Sequence, residues 1–364
     1  MDTFQYLIMG FQVALSPQNL LSCFIGVLIG TLIGVLPGIG PVTGVAILIP
    51  ITFGMNATTA LITMAGVYYG AMYGGSTTSI LINVPGESSS VMTTLDGYQM
   101  ARKGRAGPAL GMAALASFIA GTFAVILLTF IAPPLVKFAL AFGPPEYFAL
   151  TFMGLTLVTS LAGESMIKGL MSGVFGLLLA CVGIDAVSGT ERFTYGDIYL
   201  LDGVGFIGVA VGLFAVAEVL INMEEPMQQV YIKTKLNLKS LLPNLQDWKD
   251  SFGALWRGSL IGFFVGVLPG AGSTIASFVT YAIEKKVSKH PEKFGTGVIE
   301  GVAAPEGANN AASGGAFVPL LTLGIPGSGA TAVMLGAFLI HGLKPGPLLF
   351  QDNPSFVWGL IASM

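Results

Sequence analysis

Gly34-Val35-Leu36-Pro37-Gly38-Ile39-Gly40-Pro41 decides how this chain folds: it is an apolar run broken by two prolines and three glycines. A second copy, Gly266-Val267-Leu268-Pro269-Gly270-Ala271-Gly272-Ser273, lies 232 residues further on (269 minus 37), outside the period of any local repeat unit. Proline lacks the backbone donor and clashes with the preceding turn, and glycine leaves the backbone loose, so no helix runs through Pro-Gly-x-Gly. Each copy is therefore expected to be a helix, a non-helical tip and a second helix.

Composition places these breaks in a membrane. Of 364 residues, 53% are hydrophobic and 10% charged, with a mean hydropathy of +0.79, against about 25% charged in a soluble domain. The expected fold class is an all-α polytopic membrane protein with two internal repeats, each holding a re-entrant helical hairpin and a broken helix. The net charge of -3 is small and unclustered, so no nucleic-acid partner is expected. Cys23 and Cys181 both lie in apolar runs and read as packing residues, with no metal site or disulfide.

Working outward, residues 1–222 form the first repeat, with a hairpin at 20–54, a broken-helix region at 58–101 and scaffold spans over 108–222. Residues 223–256 are a cytoplasmic linker, and 257–364 an incomplete second repeat. The first fifteen residues lack a basic leader and a small-residue cleavage site, and read as an interfacial helix. Both halves carry four landmarks in one order: the Leu-Pro-Gly-x-Gly break, a Gly-Gly pair (Gly74-Gly75, Gly314-Gly315), a Pro-Gly break (Pro85-Gly86, Pro326-Gly327) and a Gly-Pro (Gly107-Pro108, Gly346-Pro347). That order points to a duplication. An apolar helix runs from Pro108 to Ile131. Further spans are expected at 147–162, 167–184 and 204–222, with turns at Pro133-Pro134 and Pro144-Pro145 and a polar loop over 185–202.

Charge sets sidedness. Arg102, Lys103 and Arg105, then Lys233, Lys235, Lys239, Lys249 and Arg257, then Lys285, Lys286, Lys289 and Lys293 make three basic stretches, expected on the cytoplasmic side. Both ends of Arg257–Lys285 are basic, so that segment is expected to enter and return on one side. Repeat symmetry extends this to residues 20–54, giving parallel halves; a miscounted span would make them inverted.

Unwound backbone inside a membrane is tolerated where protein or water satisfies its polar groups, and matched breaks in a duplicated chain mark a transporter's binding site. Helix N-termini at such tips present free N–H groups that suit carboxylates. The candidate substrate-binding residues are Pro37, Gly38, Gly40 and Thr43 at the first tip, Pro85, Gly86, Ser88 and Ser89 at the first Pro-Gly break, Gly270, Gly272, Ser273 and Thr274 at the second tip, and Pro326, Gly327 and Ser328 at the second Pro-Gly break. These motifs hold no arginine or lysine, so an anion would be held by amides and hydroxyls, with or without a bound cation. The plain alternative is that these small residues only pack helices. Glu87, Glu306, Asn309 and Asn310 are candidates for coupling to a sodium ion or proton, because ionisable groups in apolar segments are costly; an interfacial turn is the alternative. Glu164 and Lys168 read as a local surface pair, and His290 and His341 as loop residues.

Gly30-Thr31-Leu32-Ile33-Gly34-Val35-Leu36-Pro37-Gly38-Ile39-Gly40-Pro41, Tyr69-Gly70-x-x-Tyr73-Gly74-Gly75-Ser76, Asn83-Val84-Pro85-Gly86-Glu87 and Pro305-Glu306-x-x-Asn309-Asn310-Ala311 together resemble the large membrane subunit of tripartite tricarboxylate transporters, the TctA family, over essentially the whole chain. The resemblance implies a multi-pass bacterial inner-membrane carrier working with a small four-span membrane subunit and a periplasmic solute-binding protein. It imports citrate-like tricarboxylates or other organic acids by cation symport, with no further cofactor. Family members are longer, so a non-transporting fragment or half of a split carrier is the alternative. An intramembrane enzyme is disfavoured because no serine or cysteine nucleophile has a placed base; a channel would not need duplicated hairpins.

Overall fold

The computed structural model describes residues 3–143, 165–185, 190–201, 203–204, 211–216 and 241–364, with isolated positions between 145 and 220. Most of the expected spans at 147–162 and 204–222, together with Glu164, Lys233, Lys235 and Lys239, lie outside the described residues. What is described is mostly helical, with one antiparallel pair of two-residue strands, Gly183–Ile184 and Glu191–Arg192. Among the described residues, two helices are long and apolar enough to cross a membrane, Pro17–Val35 and Ala106–Ala139.

Proline and small polar caps start the helices where their missing or satisfied donors are harmless. Helix α1 (Thr3–Ala14) leads to α2 (Pro17–Val35), which begins on Pro17. After the first tip, α3 (Pro41–Leu48) begins on Pro41, and α4 (Ala57–Ile82) is capped by Asn56, whose side chain accepts from the Thr59 amide at 2.9 Å. Then come α5 (Ala106–Ala139), α6 (Met166–Ala180) and α7 (Leu245–Val267), the last capped reciprocally by Asn244 and Asp247. Helix α7 thus starts inside the stretch read as linker. The rest are α8 (Gly272–Val287), α9 (Glu300–Gly315), α10 (Phe317–Leu323), α11 (Gly329–Ile340) and α12 (Pro354–Ser363).

Two glycine seams draw the helices together. Gly26, Gly30 and Gly34 of α2 abut the backbone of Thr63, Val67 and Ala71 in α4, and Gly258, Gly262 and Gly266 of α7 abut Ala304, Ala308 and Ala312 in α9. Residue numbers rise together along each seam, so each pair is parallel. A side chain at any of these glycines would collide with a neighbouring backbone, the usual reason for small residues at close helix crossings.

Each helix pair ends in a hairpin. Gly44 of α3 lies against Ile33 of α2, and Arg257 of α7 pairs through two hydrogen bonds, 2.8 and 2.6 Å, with Glu284 of α8. The hairpin reading of residues 20–54 and 257–285 thus agrees with the geometry.

The expectation of parallel halves does not. Ser76 of α4 bonds Glu306 of α9 at 2.6 Å, while Tyr69, earlier in α4, stacks on Phe317, later in the second run. Helices α4 and α9 are therefore antiparallel, and α2 and α7 with them. The basic loops gather at one end: Lys103 Nζ donates to the Thr296 carbonyl at 2.6 Å, and Arg105 pairs with Asp247. The hairpin α7–α8 opens at this end and α2–α3 at the other, where His341 meets Thr52 at 3.3 Å. Charge could not orient residues 20–54, which carry none of their own.

A second correction concerns Pro133-Pro134, which lie inside α5 with no turn. Ala132, Val136 and Ala139, spaced for one helical face, are buried and hold the helix together, and membrane helices tolerate proline where neighbours shield the freed carbonyls. Helix α1 packs on α12, with the Tyr6 and Trp358 rings stacked at 5.6 Å.

The main core surrounds α4 with Val45, Met64, Tyr68, Leu128, Phe317 and Phe338. A smaller cluster around Ile80, Met100, Met112 and Val302 fills the basic end.

Candidate functional site: a cavity between two broken hairpins

At both tips the chain takes a left-handed turn that favours glycine, with φ of +87° at Gly38 and +79° at Gly270. Each tip amide then donates to the neighbouring Pro-Gly break: Gly38 N–H to the Gly86 carbonyl at 3.3 Å, and Gly270 N–H to the Gly327 carbonyl at 3.2 Å. The breaks are made alike. Left-handed Asn83 (φ 59°) and Gly324 (φ 73°) end α4 and α10, and the chain doubles back by three residues. Gly86 then lies on Gly34 and Gly75, with its amide donating to the Gly75 carbonyl at 3.2 Å, and Gly327 lies on Ala316 and Gly266.

A new helical segment starts after each break with a reciprocal cap. Glu87 caps the turn Ser88–Ser90, accepting from the Ser89 amide at 2.8 Å and from the Ser89 hydroxyl, while the Ser90 hydroxyl faces the Glu87 amide. Ser328 caps α11 with Thr331 as its reciprocal partner. Glutamate and serine thus do the same structural work in the two halves, one with a carboxylate and one without.

The tips and breaks meet across the halves. Ser88 and Thr274 hydroxyls are 2.8 Å apart, and the Tyr68 hydroxyl is 3.2 Å from Ser328 Oγ. Together they enclose a cavity of about 780 Å³, within the usual range for small-molecule sites. Its wall holds Gly38, Gly40, Thr43, Pro85, Gly86, Glu87, Ser88, Gly270, Gly272, Ser273, Thr274 and Ser328 from the sequence-based set. Pro37, Ser89, Pro326 and Gly327 are not on the wall; Ser89 is buried behind it on Glu87, and Gly327 backs the second tip.

The N-termini of α3, α8 and α11 and the start of the Ser88 segment all face this space, and among the described residues its lining has no lysine or arginine. Such N-termini carry free amides and a partial positive charge that favour an anion.

Glu306, Asn309 and Asn310 lie elsewhere, in a closed polar node. Glu306 is fully buried. It accepts from Ser76 Oγ at 2.6 Å, from the Thr93 hydroxyl, and from Asn309 Nδ2 at 3.5 Å. Asn310 Nδ2 reaches Ser117 Oγ at 2.8 Å and Asn309 Oδ1 at 2.5 Å. Among the described residues no group of three or more histidine, cysteine or acidic side chains is placed to hold a metal.

Sequence reasoning missed Tyr68, Ser76, Thr93 and Ser117. Tyr68 adjoins the quoted Tyr69-Gly70 motif, but α4 is buried nearly all round, so no periodicity shows which face meets the cavity. It also missed Asp96, a buried carboxylate that accepts from Tyr281 Oη at 2.8 Å and from the amides of Gly295, Gly297 and Val298, pinning the segment after the first break to the α8–α9 loop.

No solved structure matches the chain. It is 53% identical over 365 residues to an "uncharacterized 52.8 kDa protein in TAR-I ttuC' 3'region" of Agrobacterium vitis, covering the whole of this chain and 72% of that one. It is also 53% identical over 103 residues to an "uncharacterized protein in TAR-II ttuC' 3'region" of the same organism, covering 28% of this chain and 43% of the relative. The model of the tripartite tricarboxylate transporter TctA family matches residues 20–364. With the match spanning nearly the whole chain, broken hairpins included, the protein belongs to the TctA family and is a membrane component of a tripartite transporter, a system that works with partner subunits and a periplasmic binding protein.

Proposed function

We propose that the chain is the carrier subunit that passes an organic acid, citrate-like tricarboxylates among them, through the cavity between the two tips by cation symport. One observation supports this most: four chain breaks from two oppositely directed runs line a single cavity with helix N-termini and hydroxyls, and, among the described residues, with no basic side chain. An anion there is recognised by preorganised amides, as at other helix N-termini. In this reading the two runs are inverted repeats from a duplication, a common plan in secondary carriers. The carrier sits as a multi-pass protein in the bacterial inner membrane, with a small four-span subunit beside it and a periplasmic solute-binding protein delivering the acid.

A multiply charged acid held by partial charges alone is poorly compensated in a membrane interior, so a cation bound with it, or at a coupled site, completes the charge balance. Glu87 lies on the wall and Glu306, Asn309 and Asn310 behind it.

The test is counterflow in proteoliposomes loaded with unlabelled citrate, run with the partner subunits present. Labelled citrate should enter faster when unlabelled citrate is inside. Uptake that is indifferent to internal citrate would indicate a channel, and binding without exchange would indicate a non-transporting fragment or half of a split carrier.

A further inference from the structure

Resting on the carrier reading, we infer that Tyr68 is a substrate-binding residue: its hydroxyl and that of Ser328 together hold one carboxylate of the acid, beside the N-termini of α8 and α11. The cavity offers an anion two places, each made by the tip and the break of one half, and they are not equivalent. In the first half the start of α3 lies against Glu87, since a Cβ on Gly40 would stand 3.5 Å from Glu87 Cβ. In the second half the start of α8 lies against Ser328, since a Cβ on Gly272 would stand 4.0 Å from Ser328 Cβ.

Both places have the free amides and partial positive charge of helix N-termini. The first also has a carboxylate, and among the described residues Glu87 is the one acid on the wall. A carboxylate of the substrate set there meets a like charge, whose repulsion is stronger in a membrane cavity than in water. At the second place Ser328 fills the capping role of Glu87 without the charge. The acid's carboxylate therefore belongs on the Ser328 side.

Tyr68 completes that side. It belongs to α4 of the first half, yet it lines the cavity with its hydroxyl 3.2 Å from Ser328 Oγ, 260 positions on. The ring is 1% exposed and packs on Tyr69 and Phe317, with centroids 6.0 and 6.1 Å away. A donor fixed this way gives up little side-chain freedom when it meets a ligand.

The hydrogens are arranged for an incoming acceptor. Ser328 Oγ accepts from the Thr331 amide at 3.3 Å, and the Thr331 hydroxyl gives its hydrogen to the Ser328 carbonyl at 2.9 Å. The hydrogen on Ser328 Oγ is thus left with hydroxyl oxygens as neighbours, Thr331 Oγ1 at 3.1 Å and Tyr68 Oη at 3.2 Å. Tyr68 Oη also has Ser313 as a neighbour, which spends its own hydrogen on the Asn309 carbonyl at 2.9 Å. A carboxylate is a far better acceptor than any of these hydroxyls, so both O–H groups turn to it and no group is left unpaired.

The experiment is calorimetric titration of the full chain in detergent with citrate and with succinate, together with thermal unfolding without acid. Y68F keeps the ring and removes the donor. It should weaken binding of the acid that the wild type takes by about tenfold or more, while melting as the wild type does when no acid is present. A ring-fluorinated tyrosine at position 68 is a stronger donor and a poorer acceptor, so it should tighten binding; a hydroxyl that only braced Ser328 would not. Y68F binding as tightly as the wild type would overturn the assignment. Should Y68F melt lower, the fluorinated protein decides, and failure to tighten would overturn it as well. A wild type that binds neither acid would count against the carrier reading itself, whereas a wild type that binds beside an unaffected Y68F removes Tyr68 alone.

Discussion

Gly86→Ala tests the close packing that shapes the cavity. An added Cβ would sit 2.5 Å from Gly75 Cα, 3.0 Å from the Gly75 carbonyl oxygen, and nearer still to the Gly34 carbonyl. Carbon atoms settle at about 3.5–4.0 Å, so the turn would have to retreat by about 1 Å. All three obstacles are backbone atoms of two helices in a glycine seam, and none can rotate away. Overpacking of this kind costs about 1–3 kcal/mol. The retreat also stretches the Gly86 N–H bond to Gly75, 3.2 Å, and the Gly38 N–H bond to Gly86, 3.3 Å, each worth about 1 kcal/mol. Gly40→Ala is the control on the same wall: its Cβ would meet only Glu87 Cβ at 3.5 Å, and its φ of −69° suits any residue, so its cost should stay within about 0.5 kcal/mol. Thermal unfolding in detergent measures both, and citrate binding by calorimetry shows whether the moved turn loses ligand. Equal stability and binding for Gly86→Ala and wild type, or equal damage from the two variants, would refute the argument.

Glu87→Ser should retain the cap and near-native stability because Ser328 fills the same position in the other half, whereas Glu87→Ala should cost about 1 kcal/mol; unfolding midpoints decide. Arg257→Ala strands the buried Glu284 carboxylate and should loosen the second hairpin, read as faster proteolysis at 268–272; since the arginine is 43% exposed, the loss should be near the low end of about 1–3 kcal/mol. Gly38→Leu and Gly270→Leu force a side chain into left-handed backbone and should abolish citrate uptake while leaving insertion intact; normal uptake would remove the tips from the site. Cysteines at Lys103 and Lys289 should react with an impermeant reagent from one face of a sealed vesicle, and cysteines at Ile51 and His341 from the other. Labelling of all four from one face would contradict the opposed hairpins.

Much of this was legible in the residues themselves. Pro-Gly-x-Gly stops a helix by covalent geometry alone, so Pro37 and Pro269 announced both tips, and apolar length announced α2 and α5. The close crossings at Gly26, Gly30 and Gly34 and at Gly258, Gly262 and Gly266 emerged only from the structure, which shows the neighbouring backbones those glycines admit. Direction was not legible, because residues 20–54 carry no charge and hydropathy is the same read in either sense; only the pairing of Ser76 with Glu306 and Tyr69 with Phe317 shows that the halves are opposed. Pro133-Pro134 misled because the packing of Ala132, Val136 and Ala139 outweighs a local preference. Partition of the polar residues was likewise a tertiary matter: Glu87 and Glu306 look alike in sequence, but one caps a turn on the cavity wall and the other lies in a closed node behind it. Local chemistry fixes where a chain must break, whereas which breaks face one another depends on contacts between residues more than 180 positions apart, such as Ser88 with Thr274.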